Sequence, residues 1–312
     1  MKGIPFLREE ITVYDARTLS PEKFNEYMEQ GFNKKIPIIH TIYYHTNFPK
    51  RIELVNNLDH NPYHLLFYMI APFYYFDDGS TPIEYFYPEH SRYLSNEALN
   101  LLPSRFHRQT EKQQRTEYIQ MPGCRWNIDW INETWIYDYV KDLYKPLWEN
   151  TKQERGKYVY ICRSKRNHTQ RAILNEDSLL PVLKGLGVSC YALEDMTFTD
   201  TVCLFKSAEL VIGSHGAGLA WLIFSDPGTT VLEIYKNKLL KEHYTYLCSS
   251  CKLKSFRFTG VKDDPNVPPP TDPKEVDDGH MIVDIAGMEH AVRQLSKDIE
   301  SAYTDGRNPI SS

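Results

Sequence analysis

From Lys157 onward the chain alternates short apolar runs with amphipathic stretches, the pattern of βαβ units stacked into a parallel sheet. Tyr158 to Cys162 predicts a first strand. A helix is expected over Asn175 to Leu186, with Asn175 as N-cap, Glu176 and Asp177 in its first turn and glycines at 185 and 187 ending it. Val188 to Leu193 predicts the second strand. Val202, Phe205 and Ala208 fall at helical spacing within Phe198 to Ala208, which leads back to a strand at Leu210 to Gly213. A glycine-rich turn, a short apolar helix to Phe224, an Asp226-Pro227-Gly228 turn and a strand at Thr230 to Tyr235 complete a doubly wound α/β unit. The proline-rich stretch Asp263 to Pro273 predicts an extended surface loop. Beyond it a strand near Met281 to Asp284 precedes a closing helix, marked by Met288, Val292, Leu295 and Ile299 every three or four residues.

The first half is rich in tyrosine and proline and its periodicity is weaker. Ile36 to Tyr44 predicts a strand, and His64 to Tyr75 a helix interrupted at Pro72. A second α/β lobe is expected there. The charged stretch Arg105 to Arg115 reads as a solvated helix face or loop.

Composition narrows the class. The 312 residues carry 41 acidic and 36 basic side chains, a net charge of −5, which is too balanced for an obligate nucleic-acid binder. With 41% hydrophobic residues, two domains can each bury a core. The opening MKGIPFLREE has charges and a proline where a signal peptide needs an apolar segment, and no window resembles a membrane span. A soluble cytoplasmic protein is therefore expected, or a lumenal one if the chain is a trimmed piece of an anchored protein. Six cysteines spread through a chain of this length read mostly as buried thiols. Cys248 and Cys251 form a CxxC, but no second pair completes a zinc set, so no metal site is expected.

The stretch Val211-Ile212-Gly213-Ser214-His215-Gly216-Ala217-Gly218-Leu219 carries the most chemistry, because an apolar strand runs straight into small residues that open a helix. Glycines let a ligand approach the backbone, and the first N–H groups of a helix point outward, which together make a place to hold phosphate. The spacing matches neither G-x-G-x-x-G nor the P-loop, so ordinary dinucleotide and triphosphate readings lose their warrant. A tight strand-to-helix turn, with glycines kept for packing, is the plainer alternative. A second cluster, Arg163, Lys165, Arg166, His168 and Arg171, follows the Tyr158 strand. Residues just past the carboxyl ends of parallel strands line one crevice, so these cations and the His215 turn are expected to face the same ligand, a diphosphate.

At these residues the chain resembles a known family. Cys162-Arg163-Ser164 through Arg171-Ala172-Ile173-Leu174-Asn175-Glu176, then Gly213 to Leu219, then Phe224 and Pro227-Gly228 to Val231-Leu232-Glu233-Ile234, is similar in order to glycosyltransferase family 61. That family includes plant β-1,2-xylosyltransferases and animal O-linked N-acetylglucosaminyltransferases. Asn61-Pro62-Tyr63-His64-Leu65-Leu66 followed by Pro72 is similar to its N-terminal motif.

The resemblance implies a GT-B fold of two Rossmann-like lobes with the cleft between them. Residues 1–150 would form the acceptor-side lobe, residues 151–285 the nucleotide-sugar lobe, and residues 286–312 the closing helix. It also implies an inverting transfer from a UDP-sugar to a hydroxyl of a glycan or glycoprotein. Departure of a nucleoside diphosphate concentrates negative charge, which a divalent ion or fixed cations and amides must stabilise. The chain has no D-x-D, so cations and amides are favoured, with no cofactor required. Arg163 and Arg171 are assigned to the diphosphate, with Ser214, His215, Gly216, Ala217 and Gly218 as its cradle. Glu233, at its strand end, is expected either to hydrogen-bond the ribose or to cap a helix. His64 is the candidate base for the acceptor hydroxyl, with Asp77 and Asp78 as alternatives.

Three departures from the family pattern bear on the donor sugar: Ala220-Trp221 after the glycine-leucine, Cys162 in place of a serine, and the insert Arg166 to Thr169. A bulky Trp221 past the cradle would exclude the hexose C6 group and select UDP-xylose, with UDP-N-acetylglucosamine as the alternative. Two rival classes are weaker. An α/β-hydrolase needs a G-x-S-x-G elbow, and the chain has none. A carbohydrate-binding protein that kept the fold and lost turnover is argued against by the presence of both arginines, His215 and His64.

Overall fold

A computed structural model describes residues 51–54, 61–75, 77–87, 93–109, 119–121, 134–149, 157–163, 171–236, 242–266 and 279–304. The strand expected at Ile36 to Tyr44 lies outside them. The architecture is mixed α/β with two parallel sheets. The first contains β1 (Arg51–Leu54), β2 (Ile83–Phe86), β3 (Phe106–Gln109) and β4 (Ile119–Met121) in the order β3-β2-β1-β4. The stretch beginning at Arg105 thus enters a sheet rather than forming a solvated helix or loop, because Phe106 is buried and pairs with Ile83. The helix expected from His64 starts earlier, at Pro62, where the Asn61 side chain accepts from the Tyr63 N–H. It continues through wider turns at Leu65–Ile70 and tightens to 3-10 geometry at Ala71–Tyr75, around Pro72.

The second sheet holds β5 (Lys157–Ile161), β6 (Val188–Tyr191), β7 (Ala208–Ser214), β8 (Thr230–Ile234) and β9 (Lys254–Phe258) in the order β6-β5-β7-β8-β9. All five residues of β8 are buried, as expected where helices cover both faces of a parallel sheet. Period-two alternation sorts its side chains. Val159, Ile161, Val211 and Val231 join one core, while Tyr160, Leu210, Ile212 and Leu232 join another with the helices Glu176–Gly185 and Ile285–Thr304. Met288, Val292, Leu295 and Ile299 form the buried stripe of the closing helix.

The first of these cores extends through both sheets. The 3-10 helix Ala217–Phe224 is apolar all round, with Leu219 to Phe224 buried, and packs against Pro62–His64, Thr134–Tyr144 and Phe198–Ser207. Phe198–Ser207 begins at Thr197, whose hydroxyl accepts from the Asp200 N–H. Asn175 precedes its helix but makes no capping bond; its amide clips β11 (Met281–Val283) through the Val283 N–H and C=O. β11 pairs antiparallel with β10 (Val261–Asp263) in a separate two-stranded sheet. The helix His243–Ser250 and β9 carry no clear periodicity that would predict them from the sequence. Lys254 to Arg257 are exposed, so β9 lacks the alternation that marks a half-buried strand.

Candidate functional site

In a doubly wound sheet the crevice opens where the chain reverses its direction of winding, at the carboxyl ends of the two strands flanking that point. Here the chain goes from β5 to β6 on one side and then returns to β7 on the other, so β5 and β7 are those strands. Their register shifts between Lys157 and Tyr158, then runs in step to Ile161 opposite Gly213. Just past the ends of these strands, the Arg163 side chain reaches the His215 carbonyl.

The arginines meet at that turn. Arg163 donates from its guanidinium to the His215 carbonyl at 2.9 Å, and Arg171 donates to the same oxygen at 3.2 Å. Arg171 takes a left-handed backbone (φ 55°), unusual outside glycine. Glu176 anchors the root of Arg163: its buried carboxylate accepts from the Arg163 N–H at 3.1 Å and the Tyr160 hydroxyl at 2.7 Å. Lys165, Arg166 and His168, which belong to the same sequence cluster, lie outside the described residues.

The glycines of the turn serve different purposes. A Cβ on Gly216 would sit 2.5 Å from an Arg163 guanidinium nitrogen, so the missing side chain is what lets the arginine close on the turn. At Gly213 a Cβ would press on Leu219 at 3.2 Å, and at Gly218 it would make only ordinary contacts with Leu193 and Ile161. Ser214, His215 and Gly216 are buried, while Ala217 and Gly218 remain partly open. Ala217 begins the 3-10 helix, and the leading N–H groups of a helix lack acceptors within it.

Among the described residues Glu233 caps no helix, and at 2% exposure it has almost no surface left to offer a ribose. Its Oε1 lies 2.6 Å from His215 Nδ1 and its Oε2 3.5 Å from Arg257 Nε. Parallel pairing accounts for this, since Gly213, Glu233 and Arg257 are successive neighbours across β7, β8 and β9. Arg257 in turn forks onto Glu242, which holds that carboxyl below its usual range. The His215 ring stands edge-on to Tyr244 at 5.0 Å and Tyr235 at 5.7 Å. Burial pushes the Tyr244 phenol up, which keeps it neutral.

His64 belongs to the turn packed on Ala217–Phe224, so the first sheet's side of the molecule reaches the cradle through it. Its neighbour Tyr63 touches the rings of His243 and Tyr244 at 5.9 and 6.4 Å. His243 is exposed and lies 6.5 Å from the His215 ring. Sequence reasoning gives His243, Tyr244 and Arg257 no part in the site and reads Glu176 only as a first-turn and motif residue. The regular spacing that made the other elements readable is absent around the first three.

The two aspartates are placed elsewhere. Asp77 is locked by a two-point bond from Arg105 (2.8 and 2.6 Å), the Tyr139 hydroxyl and the Gly79 N–H. Burial pushes its carboxyl up, but these donors outweigh it and leave Asp77 below its usual value. Asp78 lies in an exposed turn, where its oxygens accept from Ser80 and Thr81. Trp221 does not reach the crevice. It is 1% exposed and packs on Phe198 and Phe224 at 5.1 and 6.0 Å, with no hydrogen-bond partner for its Nε1 among the described residues. The expectation that it narrows the donor pocket is thereby overturned, because an all-apolar helix turns its large side chains into the core.

Among the described residues no cluster could hold a metal ion, and no helix is long and apolar enough to cross a membrane. Cys248 and Cys251 are buried free thiols, while Cys162, Cys190 and Cys203 are half-buried.

Comparison with known proteins covers the same residues. The family model described as Glycosyltransferase 61 matches residues 63–232, more than half of the chain. Human "Protein O-linked-mannose beta-1,4-N-acetylglucosaminyltransferase 2" is 34% identical over 91 residues, 28% of this chain and 15% of that protein. Its Xenopus tropicalis counterpart is 35% identical over 134 residues (41% and 22%), and that of Bos taurus 32% over 135 residues (41% and 22%). The alignments span less than a quarter of each relative's length.

Proposed function

Because the chain belongs to glycosyltransferase family 61, we propose that it moves a sugar, with inversion, from a UDP-sugar to a hydroxyl of a glycan or glycoprotein. The observation that carries this reading is the convergence of Arg163 and Arg171 on the His215 carbonyl at the winding reversal of a parallel sheet. Two guanidiniums on one neutral oxygen form a concentrated positive site, and guanidinium recognises phosphate oxygens through paired N–H bonds. On this reading the diphosphate lies against the arginines and the N–H groups that open the Ala217 helix. As the glycosidic bond breaks, charge builds on the departing phosphate, and donors already in place stabilise it without reorganising.

The two sheets are read as the lobes of a GT-B fold. His64 is assigned as the base that takes the acceptor proton, because its turn packs directly on the cradle helix. Asp78 is set aside as base because its carboxylate is bound within its own turn. With Trp221 in the core, the argument for UDP-xylose loses its support, and UDP-N-acetylglucosamine becomes the preferred reading, supported by relatives named as N-acetylglucosaminyltransferases. Fixed cations are read as replacing a metal ion at the diphosphate.

The test is UDP release from a panel of UDP-sugars with simple glycoside acceptors, with and without EDTA. Turnover that survives EDTA is expected, highest with UDP-N-acetylglucosamine. Activity abolished by EDTA would overturn the assignment of the arginines as the sole neutralising groups. Sugar binding without any turnover would identify a non-catalytic carbohydrate-binding protein of the same fold.

A further inference from the structure

The buried pair Glu233–His215 is unaccounted for by a cradle made of backbone and arginines alone. A carboxylate with 2% exposure is expensive unless its oxygens are matched, and both oxygens of Glu233 face nitrogen donors. An ionised carboxylate only accepts hydrogen bonds, so at 2.6 Å the shared proton belongs on His215 Nδ1. Tyr235 and Tyr244 stand edge-on to the ring and oppose its rotation. The same residue's carbonyl receives both arginines. His215 is therefore held at two points, its ring by Glu233 and its backbone by the cations.

We infer that Glu233 is a positioning residue: it keeps His215 Nδ1 protonated and supports the imidazolium, so that His215 becomes a third cation when a diphosphate occupies the cradle. The inference rests on the reading of the site as a diphosphate cradle and adds a proton to it. The charged and titratable groups around the imidazole divide by sign. Arg163 and Arg171 at its carbonyl and Arg257 behind Glu233 oppose its protonation, while Glu233 and, further out, Glu242 favour it. Tyr235 on the loop after β8 and Tyr244 on the 243–250 helix stand edge-on to the imidazole, and the His243 ring on that helix lies 6.5 Å away. In the free protein the three arginines offset the carboxylates. An arriving diphosphate reverses the balance, so binding takes up a proton at His215.

The experiment is calorimetric titration of UDP into the protein in buffers of different ionisation enthalpy, between pH 6 and pH 8 (a range of about two units around the ordinary histidine value). For the unmodified chain, binding is expected to take up protons and to weaken as pH rises. Glu233→Gln keeps the shape but removes the charge. It should bind UDP about tenfold more weakly near neutrality, the effect of one lost charge-assisted bond, with its proton uptake shifted to lower pH. Protonation of UDP itself is common to both proteins and cancels in the comparison. Identical affinity and proton uptake in Glu233→Gln would overturn the inference.

A second measurement does not depend on the Glu233→Gln variant. Nitrogen-15 NMR of histidine-labelled protein, with the His215 signal assigned by its loss in His215→Gln, should find Nδ1 protonated; a ring protonated only at Nε2 would overturn the inference as well. If the unmodified chain binds no UDP, the reading of the site fails, and the NMR result still decides what Glu233 does to His215.

Discussion

Gly216→Ala isolates the contact on which the diphosphate reading depends. Its φ of 169° is extended backbone that any residue adopts, so alanine adds no backbone strain there. The whole cost is steric: the new methyl would lie 2.5 Å from an Arg163 guanidinium nitrogen and 3.3 Å from Cζ. That guanidinium is the far end of a flexible, half-buried side chain, so it moves away and the fold survives, at a cost under about 1 kcal/mol. What is lost is Arg163's place at the turn. A hydrogen bond to a charged group contributes about 1.5–3 kcal/mol, so UDP affinity should fall by about 10- to 100-fold, with little change in Tm.

The neighbouring glycines supply internal controls. Gly218→Ala meets only ordinary contacts at 3.4 and 3.5 Å and should leave stability almost unchanged. Gly213→Ala presses on Leu219, which is 1% exposed and cannot swing out, so it should lower stability by about 1–3 kcal/mol through overpacking. Calorimetric UDP titration and thermal melts read the two effects separately. If Gly216→Ala binds UDP as tightly as the parent while Arg163→Ala does not, the reasoning from the missing Cβ is wrong.

Three further outcomes are expected. Trp221→Asn should destabilise the protein by about 3–5 kcal/mol in denaturant melts, as large-to-small changes in cores do, and leave the ratio of xylose to N-acetylglucosamine transfer where it was; a changed ratio in folded protein would return Trp221 to the pocket. Asp77→Asn should cost about 2 kcal/mol, below the full value for a buried pair because Arg105 keeps 26% exposure. Since the folded state depresses the Asp77 pKa, its contribution is complete above the unfolded value of 3.8 and is lost as pH falls through the folded one. Acid melts of the parent and Asp77→Asn should therefore converge as pH falls through the folded-state value. Tyr160→Phe removes one of the two donors holding Glu176 and should cost about 1 kcal/mol, while UDP binding weakens only if Arg163 shifts with its N–H anchor.

Patterns local in the chain were legible before any coordinates. Alternating apolar runs identified β5 to β8, and the stripe at Met288, Val292, Leu295 and Ile299 identified the closing helix, because burial on one face leaves a period in the sequence. The strand-to-glycine-turn step at residues 213 to 218 and the arginines at 163 and 171 were legible for a similar reason, since chemistry at strand ends needs particular residue types at short spacing. Asn175 shows the limit: its type and position fit a cap, yet its side chain is used on Val283, more than a hundred residues away.

What only the tertiary structure decided was which distant residues share a register. Glu233 binds His215 because β8 lies beside β7, and Arg257 stands behind Glu233 because β9 lies beside β8. No periodicity encodes that adjacency. The register shift near Lys157 that sets Ile161 opposite Gly213 is likewise invisible in a two-residue alternation. Trp221 carries the same lesson: one spacing suits a pocket wall and a core residue alike. Burial between Phe198 and Phe224, a property of the packed chain rather than of the residue, settles which it is.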